Sequence, residues 1–220
     1  MSTGDIRRAR MVRDLTARGI ADRRVLDALS EIPREPFVEE ALRSKAYGDA
    51  ALPIGEKQTI SQPYIVARMC ELTEPDGTGR VLEIGSGSGY HAAVLSRLFE
   101  QVYSVERIAT FSKRARETVR ALHIENVHFK IFDGSYGWSE FAPYRAIVVT
   151  AAAPDIPAPL LEQLEEGGRL VLPIAAKGRA GGDASEQTLV RIVKEAKGVR
   201  REEHGPCRFV PLLGKFGWTA

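Results

Sequence analysis

Glu83-Ile84-Gly85-Ser86-Gly87-Ser88-Gly89-Tyr90 follows directly on an apolar run and places glycines at alternate positions. Such a turn bends the backbone tightly and lets a ligand approach it closely, with the N–H groups of a following helix facing that ligand. A dinucleotide fingerprint needs Gly or Ala three positions after Gly87, where this chain has Tyr90, and no Gly-Lys-Ser or Gly-Lys-Thr follows the turn. Glu83 beside the turn repels a pyrophosphate and suits a cation. Glu106 closes the next apolar run, where a carboxylate can accept both hydroxyls of a ribose; a surface carboxylate paired with Arg107 is the plainer account. Asp133-Gly134 follows the third run, where an acceptor beside flexible backbone can meet an adenine amino group. A ribose, a base and a positively charged methionyl group together satisfy all three positions, which points to S-adenosylmethionine.

Ligands of open parallel sheets sit at the carboxyl ends of the strands, so the chain must alternate strands with helices. Apolar periodicity predicts strands at Arg80–Ile84, Gln101–Val105, Val127–Phe132, Ala146–Thr150, Arg169–Ile174 and Gln187–Val193, with a last one near Arg208–Pro211. Helices are predicted near Gly89–Leu98, Ile108–Leu122 and Pro157–Leu164. Ahead of them, residues 1–45 read as helical, and residues 46–62, with Pro53 and Gly55, as a long ordered loop or a short irregular pair of strands. A helix should start at Pro63. Lys177 to Ser185, small and polar, reads as a mobile surface connection. The expected organisation is one α/β domain over residues 1–220, with a doubly wound, mostly parallel sheet.

Composition fits that organisation. The 220 residues are 44% hydrophobic and 27% charged, as in a globular protein. Lys and Arg number 31 against 29 Asp and Glu, a balance of +2 that gives no general drive towards nucleic acid. Basic clusters such as Arg200-Arg201 have acidic neighbours and read as a solvated helix or strand edge. Cys70 and Cys207 give neither a metal spacing nor a disulfide framework. The start Met1-Ser2-Thr3-Gly4-Asp5 shows no basic-then-apolar leader, and the run Ala146 to Ala153, broken by Thr150, is too short to span a bilayer. The expectation is a cytoplasmic protein with neither nucleic-acid nor membrane partners and no metal.

The stretch Ala51 to Tyr64, containing Thr59-Ile60-Ser61-Gln62-Pro63, together with Val81 to Tyr90, closely resembles the protein-L-isoaspartate O-methyltransferases. The resemblance continues through Asp133 to Trp138, Val149 to Pro154, Gly167 to Pro173 and Arg208 to Leu212, and spans Arg34 to Leu213 in order. It implies a Rossmann-like class I methyltransferase fold and transfer of a methyl group from S-adenosylmethionine to the free α-carboxylate of L-isoaspartyl residues. The ester then collapses to a succinimide, so the implied partners are damaged proteins and peptides, and the implied state is a monomer. The resemblance assigns the catalytic, substrate-orienting role to Ser61, with the Val210 backbone helping to hold the substrate carboxylate. Cofactor contacts are implied at Thr59, Ile60, Gln62, Glu83, Gly85, Ser86, Gly87, Gly89, Glu106, Asp133 and Gly134. Three positions depart from the family pattern: Lys57 for a usual Gly, Phe132 for the Gly before Asp133, and Arg145 where Asp is frequent.

The chemistry is self-consistent without a triad. An α-carboxylate with a pKa of about 3.3–3.7 is ionised at neutral pH and needs no general base. Alignment of carboxylate, methyl and sulfonium then carries the reaction, and favourable positioning is worth about 7–11 kcal/mol. Ser61 also has a plainer account: two residues before Pro63, it could cap the helix, an effect of about 0.5–2 kcal/mol. Three other functions stay open on sequence alone. They are a methyltransferase acting on another acceptor, a silent S-adenosylmethionine-binding module, and a nicotinamide oxidoreductase.

Overall fold

Apolar runs that alternate with helical segments do assemble into a parallel sheet in the computed structural model, which describes residues 3–175 and 186–219. The stretch from Lys177 to Ser185 lies outside the described residues. Five strands run parallel, β3 (Arg80–Ile84), β4 (Gln101–Glu106), β5 (Val127–Ile131), β6 (Tyr144–Val149) and β7 (Leu164–Ala175), following a separate antiparallel hairpin of β1 (Leu52–Gly55) and β2 (Gln58–Ile60). β8 (Gln187–Glu195) and β9 (Gly198–Cys207) then add antiparallel, giving the order β5-β4-β3-β6-β7-β8-β9.

Strand pleating sends neighbouring residues to opposite faces, so each strand feeds two cores. Val81, Val102, Val148 and Val171 pack on one side with the helices α1 (Thr3–Ala17), α2 (Arg23–Glu31), α3 (Pro63–Leu72), α4 (Tyr90–Leu95) and α5 (Ala109–Ala121). Leu82, Ile147, Leu170 and Leu172 pack on the other with α6 (Ala158–Gln163). β3 is flanked by β4 on one side and β6 on the other, so the crossovers leave it in opposite directions and open a crevice at its carboxyl end. Among the described residues no helix is long and apolar enough to cross a membrane.

Several boundaries differ from the sequence expectation for physical reasons. The last strand is not at Arg208–Pro211, where only an isolated bridge joins Pro211 to Ala152; it is β9, ten residues earlier in its start and mostly exposed. Its Val199-Arg200-Arg201-Glu202-Glu203 run has no apolar period to read. Pairing with β8 and ion pairs such as Arg191 Nη2 to Glu202 at 2.5 Å hold it at the sheet edge. The region 46–62 resolves to the pair of strands, joined by Glu56 and Lys57 with φ of 45° and 59°. Positive φ at both central residues is the hairpin-turn geometry that glycine favours, so Lys57 occupies a position where Gly fits without strain. Arg145 pairs with Asp76 at 2.5 Å and Glu165 at 3.3 Å, which ties the start of β6 to neighbouring loops.

Gly89 precedes α4 at φ +88°, and a Cβ there would lie 2.8 Å from the Ala115 Cβ of α5. The third glycine therefore serves helix packing as well as the turn. Gly89→Ala is expected to cost about 1–3 kcal/mol in urea unfolding. Gly167→Ala, also at positive φ but with open space around it, should cost less.

Candidate active site

The crevice at the end of β3 is a cavity of about 870 Å³, within the range of about 300–1,000 Å³ typical of small-ligand sites. Its walls include Thr59, Ile60, Ser61 and Gln62 from β2 and the loop after it, Gly85, Ser86 and Gly87 from the turn, and Glu106, Gly134 and Val210. These elements come from five separate parts of the chain, and the sheet topology brings them together.

Glu106 is the acidic side chain at this wall, 7% exposed. Its two oxygens accept the N–H of Gly87 at 3.0 Å and the N–H of Ile108 at 2.9 Å. A carboxylate offers about four acceptor positions, so capacity remains for a diol. It pairs with neither Arg107 nor any other cation among the described residues. Thr150, at the end of β6, donates its hydroxyl towards the Gly85 carbonyl at 2.7 Å and the Ile84 carbonyl at 3.0 Å, fixing the turn from below.

Glu83 lies elsewhere than the sequence suggested. It is fully buried beneath the turn and does not line the cavity. Ser104 donates to its Oε2, and Ser104 in turn shares a 2.5 Å hydrogen bond with Ser86, whose backbone reaches the cavity. The other oxygen, Oε1, has no hydrogen-bond partner and lies 4.0 Å from His91 Nδ1. Burial pushes the Glu83 carboxyl up to about 8; the Ser104 hydrogen bond works against this and the nearby Glu106 charge adds to it. Burial also pushes His91 down to about 4, so the imidazole is neutral, with Nε2 3.3 Å from the Cys70 thiol. The polar chain under the turn is thus uncharged near neutrality, and Glu83 is not a counter-charge for a cation.

Asp133 is also redirected. Its carboxylate accepts from the Ser135 N–H at 2.9 Å, the Ser135 hydroxyl at 2.7 Å and the Lys215 N–H at 2.8 Å, which fastens the C-terminal segment. Gly134, beside it, does line the cavity, whereas Gly89 and Asp133 do not. Of the aromatic residues near these motifs, Tyr64 and Tyr90 reach the cavity. Trp138 packs on Tyr103 and Phe141, while Tyr136 is exposed between Phe132 and Phe216.

Ser61 does not cap α3. Gln62 is the N-cap position of α3 and gives no side-chain cap; Asp49 does this work, accepting the Tyr64 N–H at 3.0 Å, and also accepts from the Gln62 side-chain Nε2 at 3.2 Å. Arg18 bridges to the same carboxylate and stacks on the Tyr64 ring at 3.9 Å. The Ser61 hydroxyl makes no hydrogen bond within the described residues, and the residue lines the cavity. Asp49, just ahead of the motif at residues 51–64, and Arg18 escaped the sequence reading because their roles are contacts with residues distant in the chain, whereas Thr150 left a trace as the polar break in an apolar run.

Comparison with known proteins identifies the family. The family model described as protein-L-isoaspartate(D-aspartate) O-methyltransferase matches residues 6–217. The chain belongs to that family. It is 52% identical over 217 residues to protein-L-isoaspartate O-methyltransferase 2 of Geotalea uraniireducens, covering 98% of this chain and 97% of the relative. The protein-L-isoaspartate O-methyltransferase of Geobacter metallireducens is also 52% identical, with 97% of each chain covered. Among solved structures, a protein-L-isoaspartate O-methyltransferase superposes with a TM-score of 0.85 at 35% identity, over 96% of this chain and 67% of that one. A beta-aspartate methyltransferase from Plasmodium falciparum, solved in complex with S-adenosyl-L-homocysteine, shares the fold with a TM-score of 0.76 at 23% identity, over 92% and 96% of the two chains.

In this methyltransferase the buried Glu83 has a titration that can be measured. Its folded pKa, about 8, lies above its ordinary 4.5, so the stability it contributes is present below about pH 4.5 and lost as pH rises to about 8. Glu83→Gln removes that loss. The urea midpoint of the variant should therefore gain on the wild type between about pH 5 and about pH 8.5, since the other titrating groups are common to both proteins. A difference that stays constant with pH would mean that Glu83 is ionised in the fold.

Proposed function

We propose that this chain transfers the methyl group of S-adenosylmethionine to the free α-carboxylate of L-isoaspartyl residues in damaged proteins and peptides, the step that initiates repair through a succinimide. Family membership over nearly the whole chain supports the reaction class. The observation that carries the site assignment is Ser61, which lines the same cavity as the glycine turn and Glu106, has a hydroxyl with no partner among the described residues, and is relieved of capping by Asp49.

The donor fits the residues present: Glu106 has spare acceptor capacity for a ribose, and Gly85, Ser86, Gly87 and Gly134 present backbone without bulky side chains. Thr59, Ile60 and Gln62 close the same site from the loop side. When bound, S-adenosylmethionine supplies an electrophilic methyl on a sulfonium. Glu83, Gly89 and Asp133 act one step back, by shaping the turn, the helix contact and the C-terminal segment.

Ser61 donates its hydroxyl to the acceptor carboxylate, which arrives already ionised. The Val210 carbonyl accepts the Ala152 N–H at 2.7 Å, so its backbone is held rigidly at the cavity wall where the acceptor enters. Buried Ile60 and the polar chain under the turn keep bulk water and stray charge away from a reaction in which an anion and a cation neutralise each other. One methylene distinguishes isoaspartyl from aspartyl linkage, and packing discriminates a methylene by only about 10–200-fold. The position of the carboxylate therefore supplies the selectivity.

Two peptides differing only in aspartyl or isoaspartyl linkage, incubated with methyl-labelled donor, test the assignment: label is expected in the isoaspartyl peptide alone, and equal labelling or none rejects it. Ser61→Ala should lower kcat/KM by about 10²-fold with an unchanged unfolding midpoint. Asp49→Ala should lower stability by about 0.5–2 kcal/mol, the size of a lost cap.

A further inference from the structure

Arg34 is the largest fully buried side chain among the described residues, and it is a cation. It sits just before the single 3-10 turn Glu35–Phe37, in the helical N-terminal region, and belongs to none of the cavity-lining segments. Its Nε donates to the Ala46 carbonyl at 2.8 Å and its Nη2 to the Ser61 carbonyl at 2.7 Å. Its plane lies over the ring of Tyr90, 4.7 Å from the centroid. Nη1 has no hydrogen-bond partner, and neither has the Tyr90 hydroxyl.

No carboxylate forms an ion pair with Arg34 among the described residues. Asp49, whose charge reaches it across the loop, is engaged by Arg18, the Tyr64 N–H and Gln62. A guanidinium stays charged in proteins, and a buried charge without a counter-ion is costly, a cost that the two carbonyls and the ring offset here. What distinguishes the position is its neighbour: the charge is bonded to the backbone of Ser61, whose hydroxyl meets the acceptor.

We propose that Arg34 is a positioning residue for methyl transfer: its guanidinium clamps the Ser61 carbonyl, aiming the hydroxyl, and its positive charge, held in no ion pair, lies behind the loop where the acceptor carboxylate binds. This rests on the assignment of the acceptor made above. The two contributions separate kinetically. The acceptor loses its negative charge on reaching the transition state, so attraction by the cation is greatest before reaction and shows in KM. The carbonyl clamp governs alignment and shows in kcat.

The test uses the full chain with the isoaspartyl peptide and two variants, and calorimetric affinity for S-adenosylhomocysteine serves as the control. Arg34→Met, which removes the charge and the fork, should raise the peptide KM about tenfold and lower kcat about 10–100-fold, with S-adenosylhomocysteine affinity within about twofold. Arg34→Lys keeps the charge but cannot hold both carbonyls; it should lose kcat comparably while its KM stays near that of the wild type. The isoaspartyl α-carboxamide, a neutral analogue, gives a charge readout that folding does not move: wild type and Arg34→Lys should prefer the carboxylate over it more strongly than Arg34→Met does. If Arg34→Met does not fold, a kcat for Arg34→Lys within about twofold of wild type overturns the proposal by itself. So does a loss in either variant matched by an equal loss of S-adenosylhomocysteine affinity. A wild-type protein that methylates no isoaspartyl peptide overturns the assignment of the acceptor and this proposal with it, whereas an active wild type with unaffected variants overturns this proposal alone.

Discussion

Glu106 joins two loops with one carboxylate. By accepting N–H groups from Gly87 and Ile108 it holds the turn after β3 against the turn after β4, and both turns end at the same cavity. Backbone N–H groups at such turns need partners, and a carboxylate satisfies two of them while retaining acceptor positions for a ligand. The parallel register of β3 with β4, pairing Ile84 with Val105, sets the spacing that makes this possible. The geometry of this cavity wall is therefore a consequence of strand register, and the fold tolerates little slippage between these strands.

The opposite wall is built on different principles. The hairpin of β1 and β2 and the loop after it lie outside the main sheet, so no ladder fixes Ser61. Arg34, Asp49 and Arg18 take that role with side chains, through carbonyl acceptors, a helix cap and a stacked cation. A wall fixed by the sheet thus faces one assembled from side-chain contacts.

Charge is kept from beneath the glycine turn, although Arg18, Glu106, Arg107 and Arg208 line the cavity itself. Burial neutralises Glu83 and His91, and Asp133 is spent on the C-terminal segment, so the region under the turn adds polarity without net charge. For a reaction that consumes one positive and one negative charge, fixed charges in a weakly screened interior would favour the separated reactants over the transition state. Neutral hydrogen-bonded groups beneath the reacting atoms avoid that penalty.

The sequence by itself determined the alternation of strands and helices, the glycine turn, Glu106 at the next strand end and the Ser61 loop, because these depend on local periodicity, turn chemistry and short motifs. It could not show that Glu83 points inward or that Asp133 bonds Lys215, since the face a side chain takes at a strand end is decided by what packs there. Nor could it show β9, whose charged edge has no apolar pattern, or the capping of α3 by Asp49 from fourteen residues upstream. Only tertiary structure placed Arg34 against Ser61. Contacts between distant segments cost chain entropy to close and leave no periodic mark, so their existence is written in packing and not in spacing.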